Sequence, residues 1–245
     1  MKNAIEAQKL TKKYGNKVAV NDLELTVAEG ELFALLGVNG AGKTTTIKML
    51  SGLSLPTSGD ALLLGDSIVK EAQKVKANNG ISPQETAVAR NLTVLENLEL
   101  MARIYGANKE AARAKALAMI GQLSLGGVTN GKAKTLSGGM QRRLSIGMAL
   151  ISEPKILFLD EPTLGLDVLA RRELWNVVKK LKGNVTILLT THYLEEVEAL
   201  SDRVGVMNDG VLVAVGTVSE LMEQTGANTF EDAFVALATQ GEAVA

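Results

Sequence analysis

Cysteine is absent from the 245-residue chain, which excludes disulfides, thiolate metal sites and a cysteine nucleophile. The sequence therefore carries no mark of a secreted, disulfide-stapled protein. Neither sign of charge is in excess: 26 Lys and Arg stand against 27 Asp and Glu, a formal net charge of −1. With no surplus of cations to neutralise a run of phosphates, nucleic acid is not the expected partner. Long apolar runs are also missing. The longest stretch free of charged, amide and His side chains, residues 49–59, includes a Pro and two Gly and falls short of the roughly 18 to 20 apolar residues that cross a bilayer. The first twelve residues mix charges and lack the apolar run of a secretory signal, so a cytoplasmic location is expected. Histidine occurs once, at position 192.

Hydrophobic residues make up 46% of the chain, enough to bury a substantial core in one large domain or two small ones. Glycine is enriched, 24 residues against a norm of roughly 7%, and the glycines cluster where short apolar runs end. That placement suggests phosphate-binding turns between strands and helices. Leu32 to Leu36, Lys155 to Leu159 and Val185 to Thr190 read as buried strands, each followed by a polar turn and a helix-like stretch. Such alternation implies a parallel sheet covered on both faces. From Leu92 to Ile151 there is no strong strand signal, a capping box at Thr93 and Glu96 opens a helix, and Ala111 to Ile120 is alanine-rich. A helical subdomain inserted into the sheet domain is expected. Asn208, Asp209 and Gly210 between Val204–Met207 and Val211–Val215 supply hairpin-turn chemistry. Phe230, Phe234 and Leu237 share one face of a terminal helix.

Three segments carry chemistry. Gly37 to Thr44 matches G-x-x-x-x-G-K-T between a strand and a helix, where backbone N–H groups can close around phosphate oxygens. Lys43 would reach the β- and γ-phosphates and Thr44 a magnesium ion; the bland alternative is a Gly-rich turn with an exposed lysine. Asp160 and Glu161 end the second strand, where Asp160 can hold magnesium through water and Glu161 can polarise an attacking water. Ser137 is a good helix N-cap, and Gly138 and Gly139 leave the backbone open to an anion. Alone, that third segment reads as a capped core helix.

Taken in order, the phosphate loop, Gln84 after Pro83, Ser137 to Met140, Asp160–Glu161 and His192 resemble the ATP-binding cassette ATPases over almost the whole chain. The resemblance implies a phosphate-loop NTPase fold in the α/β class: a parallel-sheet core, an inserted helical subdomain and an N-terminal antiparallel β part. It implies one domain over 1–245, with the helical subdomain at about 85–152 and a short helical tail at 217–245. The cofactors implied are ATP and Mg2+. Nucleotide contacts would come from Tyr14, stacking on adenine, from Gly37, Asn39, Gly40, Ala41, Gly42, Lys43, Thr44 and Thr45, and from Ser137, Gly138, Gly139 and Gln141. Thr44, Gln84 and Asp160 would serve the metal. Glu161, His192, Lys43 and Gln84 would be catalytic, His192 as a γ-phosphate switch.

The resemblance further implies a head-to-tail dimer, of two copies or of paired cassettes, in which each ATP lies between the phosphate loop of one subunit and Ser137 to Met140 of the other. Gly165, Leu166 and Asp167 look like the family's dimer-contacting loop. The wording around Ser137 to Arg143, Asp160 to Asp167 and Arg172 to Trp175 is similar to exporter cassettes whose transmembrane permeases are separate chains. An ATPase subunit peripheral on the cytoplasmic face of the membrane is thus expected. A soluble cassette acting on DNA, RNA or the ribosome is the alternative, and a non-hydrolysing regulator a third reading, disfavoured by the intact Glu161 and His192. Two departures stand out: Val168 replaces a Pro common at the first helical position in relatives, and Glu85 to Arg90 is unlike them.

Overall fold

The computed structural model describes residues 2–239, which fall into two compact units, 2–77 with 182–239 and 78–181. The chain opens with two long strands, β1 (Asn3–Tyr14) and β2 (Lys17–Ala28), then β3 (Leu32–Gly37) and α1 (Lys43–Leu50). Next come β4 (Ser58–Leu63), β5 (Asp66–Ser67), α2 (Ala72–Asn78) and β6 (Asn79–Ser82). Three helices follow, α3 (Val94–Ile104), α4 (Lys109–Gln122) and α5 (Gly138–Leu150). The remainder is β7 (Ile156–Asp160), α6 (Val168–Leu181), β8 (Thr186–Thr191), α7 (Leu194–Leu200), the pair β9 (Arg203–Asn208) and β10 (Val211–Gly216), α8 (Val218–Thr225) and α9 (Phe230–Thr239).

In the first unit β1 pairs antiparallel with both β2 and β4. Along β2, Leu23, Leu25 and Val27 are buried and alternate with exposed residues, the pattern of a sheet with one wet face. Between Ala7 and Leu10 the ladder slips, with three steps on β1 against two on β2, and Lys9 there takes a φ of 48°. That bulge turns the Lys9 carbonyl onto Gly59. All six residues of β3 are buried, and β3 runs parallel between β8 and β9. A strand covered on both faces reads as a continuous apolar run, which is why Leu32 to Leu36 was legible. β10 closes the sheet edge as the second arm of the expected hairpin, its turn made by Asp209 at φ 42° and Gly210 at φ 80°. Phe230 and Leu237 of α9 are buried, and Asn208 Nδ2 donates to the Ala238 carbonyl at 2.7 Å.

In the second unit β6 and β7 are parallel, Ser82 facing Leu159. β6 carries no strand signal in the sequence, because Asn79, Gly80, Ile81 and Ser82 have one apolar residue among them. Tertiary contact makes it a strand: Gly80 lies against the Ala149 carbonyl and Pro154, and the Ser82 and Ser145 hydroxyls bond at 3.0 Å. The helices begin where their caps put them. Thr93 and Glu96 form a reciprocal box that starts α3, and the Thr93 N–H holds the Glu96 carboxyl below the usual range. Asn108 caps α4 and Ser137 caps α5. The helical stretch expected over 85–152 lies inside this unit, which also takes in two strands and α6. Val168, where the resemblance implies a Pro, begins α6, and the Asp167 carboxylate accepts from Ala170 N at 2.9 Å. That cap supplies the helix-start fixation a proline would give.

α5 does not bury its four spaced apolar residues Met140, Leu144, Met148 and Ile151 alike. Leu144 and Ile151 are buried, but Met140 and Met148 are only half-buried, while Arg142 and Arg143 lie inside. The arginines can be buried because the protein supplies acceptors, among them Glu173, 2.9 Å from Arg143.

A methyl group on Gly80 has no room against the Ala149 carbonyl. Gly80→Ala should therefore cost about 1 to 3 kcal/mol, read as a lower midpoint in chemical unfolding; an unchanged midpoint would contradict the close packing of β6 on α5.

Candidate active site

In the first unit the loop Gly37–Thr44 leaves the carboxyl end of β3 and runs into α1. Gly40 at φ 88° and Gly42 at φ 101° occupy the left-handed region that other residues rarely adopt, and Gly42 is the N-cap of α1. Successive N–H groups in such a turn converge toward one point and suit an anion. The loop is also tightly backed: a Cβ on Gly37 would come 2.5 Å from the Met207 carbonyl, and one on Gly42 equally near that of Ala19. The hairpin tip supports it, since Gly210 N donates to the Ala41 carbonyl at 3.1 Å. Lys43 is 4% exposed and donates through Nζ to the Gly37 carbonyl at 2.7 Å and the Val38 carbonyl at 3.1 Å. The bland reading, an exposed lysine on a glycine turn, does not fit. Asn39 and Gly40 lie at the open surface, Ala41 is buried, and Thr44 and Thr45 are half-buried in the first turn of α1.

β8 carries the histidine to the same strand ends: Thr191 faces Leu36 in the parallel register, and His192 follows at once. Its ring packs on Tyr193 with centroids 4.1 Å apart. Tyr14 ends β1 before Gly15 at φ 56°, and its ring is 50% exposed, with Lys12 Nζ 5.1 Å from the centroid.

In the second unit the same logic operates. Because Ser82 faces Leu159, Pro83–Gln84 and Asp160–Glu161 leave the carboxyl ends of adjacent parallel strands. Asp160 and Glu161 are 4% and 8% exposed, and Glu161 holds a left-handed φ of 45°. Gln84 is exposed. Ser137 Oγ accepts from Met140 N at 3.3 Å, and Gln141 Nε2 donates to the Leu136 carbonyl at 3.0 Å. Ser137 and Gly138 are open, whereas Gly139 is pressed against Ala170. A residue the sequence reading passed over binds these pieces together: Arg142 donates to the carbonyls of Pro83, Gln84 and Glu161. Only its position, in the second turn after the capped start of α5, could have drawn attention to it.

Among the described residues no three His, Asp or Glu side chains cluster as a self-sufficient metal site. An open depression of about 700 Å³ on the antiparallel sheet is lined by Asp22, Glu24 and Asp60 against a single cation, Lys9, a poor match for a triphosphate of the same sign as the three carboxylates.

A buried strand, a glycine loop closing on a helix N-terminus and an inward lysine define a phosphate-loop nucleotide-binding fold. The ABC transporter family model matches residues 20–164. The chain is 40% identical over 226 residues to the linearmycin resistance ATP-binding protein of Bacillus subtilis, covering 92% of this chain and 73% of that one. It is 41% identical over 226 residues to the daunorubicin/doxorubicin resistance ATP-binding protein of Streptomyces peucetius, covering 92% and 68%. Among solved structures, the ATP-binding subunit of an ABC transporter superposes with a TM-score of 0.84 at 29% identity, over 96% of this chain and 99% of that one. A dimeric ATP-binding cassette in a post-hydrolysis state with ADP and Pi gives 0.78 at 27%, over 87% and 98%. The chain belongs to the ABC transporter family, as an ATP-binding, ATP-hydrolysing cassette subunit. The family and fold class expected from the sequence are thereby borne out.

Tyr14→Ala should weaken ATP binding by about 1 to 3 kcal/mol, the worth of an aromatic stack on a base. Since the ring is half exposed, the melting temperature should stay put; unchanged affinity in a nucleotide titration would return Tyr14 to a surface role. Lys43→Ala should abolish steady-state phosphate release, because the γ-phosphate loses its charge partner.

Proposed function

We propose that the chain powers export through separate transmembrane permease chains, working from the cytoplasmic face of the membrane as one half of a head-to-tail cassette pair. The observation that carries the ATP chemistry is the buried Lys43 in its glycine loop, donating to the Gly37 and Val38 carbonyls of that loop. Those carbonyls hold the ammonium where a triphosphate would take it over. Tyr14 would stack on adenine, and the backbone from Gly37 to Thr45 would bind the phosphates, with Thr44, Gln84 and Asp160 serving a magnesium ion. Such a donor set fits magnesium, which takes one or two side chains and completes its shell from phosphates and water. When bound, the ion neutralises charge on the β- and γ-phosphates.

Glu161 would accept a proton from water as its oxygen attacks the γ-phosphorus, the bond to the bridging oxygen breaks, and ADP and phosphate leave. Gln84 would orient that water, and His192 would sense the γ-phosphate. Ser137, Gly138, Gly139 and Gln141 would meet the nucleotide held by the other cassette of the pair, so that neither chain holds a complete site. A dimeric cassette among the similar structures supports that arrangement. The open N-terminus of α5, with its cap and two glycines, supports anion binding there. No described helix is long and apolar enough to cross a membrane. The whole of 1–245 is read as one cassette, with about 85–152 as its helical subdomain and 217–245 as its tail; residues 240–245 lie outside those described.

Glu161→Gln keeps shape and removes the proton acceptor. ATP turnover should fall by roughly 100-fold or more, while the pair closes on ATP and stays closed. Light scattering after size exclusion should then show a dimer in ATP and a monomer in ADP, and adding Ser137→Arg should remove the dimer. A Glu161→Gln protein that remains monomeric at high ATP and high protein concentration would count against the shared site.

A further inference from the structure

Arg142 lies on α5 one residue beyond Gln141 and is 3% exposed. Its Nη1 donates to the Pro83 carbonyl at 2.5 Å, and its Nη2 donates to the carbonyls of Gln84 at 2.9 Å and Glu161 at 2.8 Å. One cation thus ties three backbone oxygens from two chain segments to a third. Charge-assisted bonds of this kind are roughly twice as strong as neutral ones, and a planar fork fixes direction as well as distance. An ammonium, a compact point charge, would not reproduce that geometry. Glu161 also has a left-handed φ of 45°, a conformation that persists in a non-glycine residue only where its surroundings over-determine it. The guanidinium on its carbonyl is one such surrounding group.

We propose that Arg142 is a positioning residue: its guanidinium holds the Gln84 and Glu161 main chains in the register from which their side chains address the water, and links both to the start of α5. The inference rests on the reading of Gln84 and Glu161 as groups of the reaction. The link has direction. Gln141 Nε2 is bonded to the Leu136 carbonyl and Ser137 caps the helix, so the first turn of α5 moves as a piece. A shift of Ser137 to Gly139 on meeting nucleotide therefore displaces Arg142, and Arg142 pulls on the two carbonyls. Contact at the helix start would then be felt at Glu161 without any side chain of Glu161 touching it.

The test compares the wild-type full chain with Arg142→Gln, Arg142→Lys and Glu161→Gln, each measured for thermal unfolding, ATP affinity and steady-state ATPase. Misplacing a catalytic group by a fraction of an ångström to an ångström lowers rates by roughly 10- to 100-fold. Arg142→Gln should therefore lose about that much kcat per folded molecule, with KM for ATP within about three-fold of wild type. Arg142→Lys should fall between the two, restoring charge but not the fork, and carries the comparison if Arg142→Gln does not fold. A merely structural role would lower the unfolding temperature and the folded fraction while leaving kcat per folded molecule intact. That result, beside an inactive Glu161→Gln, would overturn the positioning role alone. If Glu161→Gln hydrolyses ATP as wild type does, the catalytic reading fails and the proposal with it.

Discussion

Parallel pairing puts the carboxyl ends of neighbouring strands side by side, and most of the candidate groups in this protein leave a strand at such an end. The phosphate loop follows β3, and His192 follows β8, its parallel neighbour. Gln84 follows β6, and Asp160 and Glu161 close β7, again neighbours in parallel. Within each unit a parallel pair thus presents its loops at one end, an arrangement that suits a polyanionic ligand. Antiparallel strands would have sent half of these segments to the opposite side.

Burial of charge is the second constraint. Lys43, Arg142, Arg143, Asp160 and Glu161 are all nine-tenths buried or more, and an ion taken from water costs several kcal/mol unless other groups replace the hydration. Part of the replacement comes from main-chain carbonyls: Gly37 and Val38 for Lys43, and Pro83, Gln84 and Glu161 for Arg142. These acceptors are turned inward by strand ends and tight turns. Rigid loops and buried cations thus stabilise one another, and the left-handed Glu161 is sustained in the same way. Removing a cation would take one donor from each of these carbonyls, although Val38 would keep Ala41 N and Glu161 would keep Leu164 N.

Close approach explains the glycines that matter. Gly37 and Gly42 let the phosphate loop settle on Met207 and Ala19, and Gly80 lets α5 settle on β6. Neither relation is a property of the glycine-containing turn by itself, since Met207 and Ala149 lie far away in the chain. α6 shows local compensation instead: without the family's proline, the Asp167 carboxylate fixes the helix start.

What the sequence by itself determined is the set of features whose physics is contained in a few consecutive residues. The phosphate loop follows from Gly37, Gly42 and Lys43, the helix starts from Thr93, Asn108 and Ser137, the hairpin from Asp209 and Gly210, and the buried strands from unbroken apolar runs. The order of those motifs was enough to name the family. Tertiary structure decided the rest. β6 is a strand because β7 and α5 accept it, not because Asn79 to Ser82 favour extension. Met140 and Met148 yield the inner face of α5 to Arg142 and Arg143, against hydrophobic pattern, because carbonyls and Glu173 await the arginines there. An acceptor sixty residues away leaves no trace in periodicity; only the folded register brings it within 3 Å.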